Sequence, residues 1–163
     1  RCFRPKPVMP DSRTSTHGTY LGFDFGLRRT GVAVGESLTG SARPLTTLQC
    51  REGKPDWDQV ARLIEDWQPR ALVVGVPYND DGSDTSVTAA AERFARRLHG
   101  RFGLPVHTVD ESLSSHAAER SLATSGRGGQ RLRKHKAEID KLAAAYILET
   151  WFTEYGNGST ETG

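Results

Sequence analysis

The 163-residue sequence has only two cysteines, a formal net charge of just +2 and no apolar run approaching a membrane span. Cys2 and Cys50 lack metal-ligand spacing, so a disulfide framework is not supported. A bilayer helix needs about 20 apolar residues, which excludes a membrane partner of that kind. No charged-then-apolar stretch opens the sequence, and the cytoplasm is the expected compartment. So small a net charge does not demand nucleic acid, and that case has to come from local clustering. No histidine and cysteine cluster offers a zinc site. No repeat or linker divides the chain.

What is present is the composition of a globular domain, 36% hydrophobic and 26% charged, long enough for a real core. Residues 1–18 and 156–163 are polar without apolar periodicity and read as disordered ends of one domain over 19–155. Closely spaced strand signals at 19–26, 30–35 and 42–48 predict an antiparallel meander. A helix follows over 55–67, with Trp57, Val60, Ala61, Ile64 and Trp67 on one face, ended by Pro69. The run Ala71-Leu72-Val73-Val74-Gly75-Val76 has the look of a buried parallel strand. Helices over 83–102, 113–123 and 136–155 and a strand over 105–109 complete the pattern. The order β-β-β-α-β-α-β-α-α predicts an α/β mixed sheet with helices on both faces, the ribonuclease H-like arrangement.

Asp24 lies in Tyr20-Leu21-Gly22-Phe23-Asp24-Phe25-Gly26, where a central strand should be apolar. A carboxylate there is costly unless a cation or donors meet it. Alternation puts Leu21, Phe23 and Phe25 on one face and Tyr20, Gly22, Asp24 and Gly26 on the other. That second face is either solvated or left open by its glycines for a ligand, an ion or another backbone.

Two further acidic signals are far away in sequence. Asp110 and Glu111 close the strand that starts at residue 105, where α/β sheets gather ligands and where helix caps also occur. Asp140 falls on a helical line with Ala144, Ile147 and Trp151 that should face the sheet, near the expected helix start. A surface pair with Lys136 is the plainer alternative. Three oxygen donors from distant segments suit a hard cation such as Mg²⁺ or Mn²⁺. Two such ions about 3.5–4 Å apart position a water for attack on a phosphodiester. The segment from Gly126 to Lys136, with Arg127, Arg131, Arg133, Lys134 and Lys136, reads as a flexible cationic run able to follow a phosphate backbone, or as a solvated loop. Arg28 and Arg29 add to the same field. Asn79 and Ser83, after the buried strand, either donate to phosphate or form a turn with Ser83 or Asp84 as N-cap.

Four segments together resemble the YqgF/RuvX family, described as Holliday junction resolvases and as pre-ribosomal RNA nucleases. They are Asp24-Phe25-Gly26-Leu27-Arg28-Arg29-Thr30-Gly31-Val32-Ala33, Val74 to Ser83, Asp110-Glu111-Ser112-Leu113-Ser114-Ser115, and Asp140 to Leu148. The resemblance implies a ribonuclease H-like fold and a divalent-metal-dependent endonuclease. It implies Asp24, Glu111 and Asp140 as catalytic and metal-holding residues, with Asp110 open as a further ligand; Arg29 and Gly31 match the first motif. Ser112 stands where the family usually has arginine. The expected substrate is ribosomal RNA precursor or branched DNA, with the resemblance leaning toward the former. Trp67 and Trp151 are open to a core role or to a homodimer interface. Two other readings compete: a relative of the actin and sugar-kinase fold, which needs a second lobe this chain is too short for, and a non-catalytic nucleic-acid or ribosome-binding module.

Overall fold

The computed structural model describes residues 17–79, 81–110 and 130–156, with backbone alone at 130–137 and 156. The strands are β1 (Thr19–Asp24), β2 (Arg29–Glu36), β3 (Ser41–Arg51), β4 (Lys54–Pro55), β5 (Ala71–Val76) and β6 (Val106–Asp110). They form one sheet in the order β4-β3-β2-β1-β5-β6. β1 to β4 pair antiparallel in sequence, whereas β5 joins β1, and β6 joins β5, in parallel. β1 is therefore interior, which removes the wet-edge account of Asp24.

The meander forms because short turns return the chain at once, as at Glu52 and Gly53, both left-handed at φ 55° and 81°. Parallel addition of β5 and β6 needs crossovers, supplied by α1 (Trp57–Trp67) and α2 (Thr88–Phe102). The first residues of α1 are capped by the Asp56 carboxylate, which accepts from the Asp58 N–H at 3.0 Å. Its end is a left-handed Gln68 whose N–H returns to the Ile64 carbonyl at 2.8 Å. The last helix, α3 (Gln130–Trp151), runs into a π-helical turn at Phe152–Gly156.

Alternation along β1 and β2 splits the core in two. Leu21, Phe23, Val32 and Val34 face α1 and α2, meeting Val60, Phe94 and Leu98. Tyr20, Ala33 and Val73 face α3 and meet Ala144, Ile147 and Leu148. Trp67 packs against the first cluster and Trp151 against the second, where it also stacks on His107 at 4.8 Å between ring centroids. Both tryptophans are partly buried, packed against the core and not enclosed by it.

Several boundaries differ from expectation. α2 starts at Thr88 rather than at 83, because Asn79, Gly82 and Ser83 bond to one another in a loop of their own before it. Neither Ser83 nor Asp84 caps it. The Thr85 hydroxyl does so, accepting from the N–H groups of Val87 and Thr88 at 3.0 and 3.1 Å. α3 starts at Gln130 rather than at 136, so 130–136 is helical and not a flexible run. The expected helix over 113–123 lies outside the described residues. β3 is longer than its apolar signal, and for most of its length no strand among the described residues covers its outer side. That strand holds Pro44, and the β2/β3 register shifts between Val32 and Ala33, with Ala33 opposite Pro44.

Candidate active site

Asp24 is the last residue of β1 and is half-buried. Its cross-strand partners are Gly31 on β2 and Gly75 on β5. Residues paired across strands share a face. Asp24 thus stands in a trough with hydrogen as the only side chain on either side, and this trough opens toward α3. Phe23 and Phe25, buried on the opposite face, anchor the strand end against Phe94.

Gly31 is what brings the second carboxylate here. A Cβ placed on it would sit 2.0 Å from the Asp140 carbonyl oxygen, so α3 backbone rests directly on β2 beside Asp24. Gly22, one pleat down, receives Leu148 and Ala144 of the same helix. Asp140 is on the sheet-facing line expected for it, with Ala144 and Ile147 fully buried. The expected helix-dipole support is wrong: Asp140 lies well inside α3, beyond the first turn where that field acts. Its partner is instead Arg29, whose Nε donates to Asp140 Oδ2 at 3.1 Å. Both side chains are about three-quarters buried, at 28% and 23% exposure. The alternative pair with Lys136 involves a side chain outside those described, while the neighbouring Lys141 pairs with Glu138 at 3.3 Å. Lys136, like Arg131, Arg133 and Lys134, falls in the stretch of α3 described by backbone alone.

Register decides where Asp110 points. Asp24 pairs with Gly75, and Gly75 with Val109, so Val109 shares the Asp24 face and packs with the α3 cluster. Asp110, paired with Val76, alternates to the other face and is exposed. There its charge, after burial and the Glu92 carboxylate, helps to push the Tyr78 phenol above its ordinary value. Glu111, Ser112 and Arg127 lie outside the described residues.

Asn79 and Ser83 do not stand ready for an external phosphate. The Asn79 side chain donates to Ser83 Oγ at 3.0 Å and to the Asp84 carbonyl at 3.1 Å. The Ser83 hydroxyl donates in turn to Asp81 at 2.6 Å, which holds the Asp81 carboxyl below its usual range. Arg28 is exposed on the β1–β2 turn, and that turn is pinned by the Cys50 and Gly53 N–H groups bonding to the Arg28 and Leu27 carbonyls. Arg28 is thus available to a ligand, whereas Arg29 is committed to Asp140.

Asp24 and Asp140 provide oxygen donors only, on one open face, which fits a hard divalent cation and no softer metal. Among the described residues no three histidine, cysteine or carboxylate groups converge. Sequence reasoning missed two features here: the glycine pair flanking Asp24 and the Arg29–Asp140 pair. Gly75 inside an otherwise unbroken valine and leucine strand was the available signal for the first.

A family model described as "RuvX: Holliday junction resolvase" matches residues 18–154. A protein of Azotobacter vinelandii (strain DJ / ATCC BAA-1303) named "Putative pre-16S rRNA nuclease" is 52% identical over 135 residues, 82% of this chain and 92% of its own. One of the same name in Nitrosococcus oceani is 53% identical over 135 residues, 82% and 86% of the two chains. Among solved structures, T. thermophilus RuvC in complex with Holliday junction substrate superposes with a TM-score of 0.50 at 17% identity. It covers 87% of this chain and 98% of its own, a likeness of fold.

Proposed function

The chain belongs to the family described as RuvX, Holliday junction resolvase, and from that premise we propose that it is a divalent-metal-dependent nuclease maturing the 5′ end of pre-16S ribosomal RNA in the cytoplasm. The observation that carries the site is the meeting of Asp24 with the Asp140 helix across Gly31. Asp24, Asp140 and Glu111 would hold Mg²⁺ or Mn²⁺, which supplies Lewis-acid charge at the scissile phosphate when bound. We assign the third donor to Glu111 rather than Asp110, because Val109 shares the Asp24 face and Asp110 does not.

The chain's own residues do the positioning. Gly31 lets the α3 backbone close on β2 beside Asp24, which brings the Asp140 helix to that strand end, and Gly75 leaves the other neighbour of Asp24 without a side chain. Arg29 fixes the Asp140 carboxylate and offsets its repulsion with Asp24, and Arg28 offers a charge to the strand being cut. Arg131, Arg133, Lys134 and Lys136 at the head of α3, together with Arg127, extend that basic field along the substrate. Asn79 and Ser83 shape the loop after β5 by bonding each other, and we assign them no phosphate contact.

A second reading, cleavage of four-way DNA junctions, is favoured by the description of the family model. One experiment separates the two and tests the common premise. Wild type and Asp24→Asn are assayed on a pre-16S RNA fragment and on a four-way DNA junction, with Mg²⁺, with Mn²⁺ and with chelator. Cation-dependent cutting of the RNA, abolished by the substitution, is expected. Cutting of the junction alone moves the assignment to DNA, and metal-independent cutting or nucleic-acid binding without turnover refutes the nuclease site.

A further inference from the structure

Away from the site, α2 carries four arginines against one glutamate, three positive charges net, while the whole chain has +2. Arg93, Arg96, Arg97 and Arg101 are all exposed. At 3.6 residues per turn they span an arc of about 140°. That arc lies opposite the buried line of Ala91, Phe94, Ala95 and Leu98. The one acid, Glu92, is drawn off the arc by Tyr78, whose hydroxyl donates to it at 3.4 Å. Arg93, Arg96 and Arg97 make no ion pair among the described residues, and the Arg101 guanidinium lies 4.3 Å from the centre of the Trp57 ring. Three arginines without an ion pair, and a fourth met only by a ring face, cost repulsion on one helix face that these contacts do not recover.

We propose that this ridge is a docking surface for a helical arm of the RNA substrate, gripping its phosphates without reading sequence. The proposal rests on the nuclease reading above and extends it to a face that the carboxylates do not use. From Arg93 to Arg101 the helix rises about 12 Å. One strand of a duplex presents phosphates on the order of 3 Å apart along its axis, so about four fall within that length. Guanidinium groups fit phosphate in two-pronged fashion and stay charged at all working pH values. Arg93 is nearest the end of α2 that the loop after β5 joins to the strand, and the ridge lies on the side of the sheet away from Asp24, so an arm reaches it by rounding that end of the sheet. A second copy of the chain would meet this face with like charge. A lipid surface would need apolar anchors, and the large exposed apolar residues among those described, Leu27, Leu38 and Tyr155, are on other elements.

The test uses the full chain carrying Asp24→Asn so that binding is measured without cleavage. Affinity for a pre-16S fragment that keeps a duplex beside the cut is followed from 50 to 200 mM salt, approximate bounds within which phosphate contacts register. Arg93→Gln/Arg96→Gln/Arg97→Gln is expected to lower the log–log salt slope by about 2 to 3, at roughly 0.7 to 0.9 per lost contact. The triple lysine variant should keep that slope. In the cleaving background the glutamine variant should raise KM on the duplex-bearing RNA, leave kcat in place, and cut a short RNA without the arm as wild type does. An unchanged slope and affinity, or binding to anionic vesicles in place of RNA, overturns the ridge while leaving the carboxylate site standing. Slope loss in a protein that never cleaves leaves the ridge and refutes the nuclease reading.

Discussion

Replacing Gly31 by alanine tests the geometry on which the site depends. The added methyl carbon would lie 2.0 Å from the Asp140 carbonyl oxygen, 2.3 Å from its carbon and 2.9 Å from the Lys141 nitrogen, all backbone atoms. Ordinary contact starts at 3.4 Å, so α3 must retreat from β2 by about 1.4 Å for the methyl group to reach it. Overpacking of this kind costs about 1–3 kcal/mol. A chain of this size loses roughly 2–4 °C of Tm per kcal/mol. Separating Asp140 from Asp24 by that distance should cost about 10²-fold in kcat. Gly22→Ala is the matched control. It presses on the same helix, but its nearest atom is the Leu148 Cγ at 2.6 Å, a side chain that can turn aside, with the Ala144 carbonyl at 3.1 Å. It should lower Tm comparably and kcat far less. Thermal unfolding and single-turnover cleavage on both variants check this. Full kcat in folded Gly31→Ala would show that the approach of α3 at this point has no part in the chemistry.

Arg29→Gln should change Tm little, because a part-exposed ion pair is worth about 1 kcal/mol or less. It should nonetheless depress kcat and raise the Mn²⁺ concentration for half-activity, with Arg29→Lys recovering only part, as an ammonium lacks the planar fork. Equal metal dependence in all three proteins would remove the positioning role. Thr88→Val should cost about 1–3 kcal/mol, since the fully buried hydroxyl donates to the Pro77 carbonyl and accepts from the Thr85 N–H at 2.7 Å. Denaturant unfolding reads this, and a loss under about 0.5 kcal/mol, the ordinary scatter of surface changes, would contradict it. Burial holds the His107 imidazole below its ordinary value, so the native state takes up a proton later than the unfolded chain as pH falls. Stability should therefore be intact above about pH 6.5 and decline as pH drops from there toward the native value. His107→Gln should flatten the acid side of a Tm-against-pH curve, and an unchanged curve would assign that decline to other groups.

The strand holding Asp24 and the inward line of Asp140 were both legible because two simple periods, 2 and 3.6, place one polar residue among apolar neighbours. Where partners are distant the periods say nothing. Arg29 and Asp140 are 111 positions apart, and only the fold shows that one cation neutralises the other's charge rather than a substrate's. The start of α3 escaped for another reason: Gln130 to Lys136 holds a single apolar residue, Leu132, so helicity there leaves no apolar stripe to read. Around Ser83 the sequence offers several capping residues, and local bonds among Asn79, Asp81 and Ser83 use them up before the helix begins at Thr88. The α2 arginines were hidden by the same amphipathic pattern that identified their helix.

The long outer strand Ser41–Arg51 has a consequence for handling the protein in quantity. Over most of its length no strand among the described residues pairs with its outer side, and such an edge is a template onto which other extended chains add. Pro44 has no N–H to offer such an addition, the dislocation opposite it breaks the straight line a stacked copy would follow, and Arg43 and Arg51 set charge at its rim. Fibrous growth from this border is blocked locally, so concentrated samples should stay clear for reasons unrelated to cutting nucleic acid.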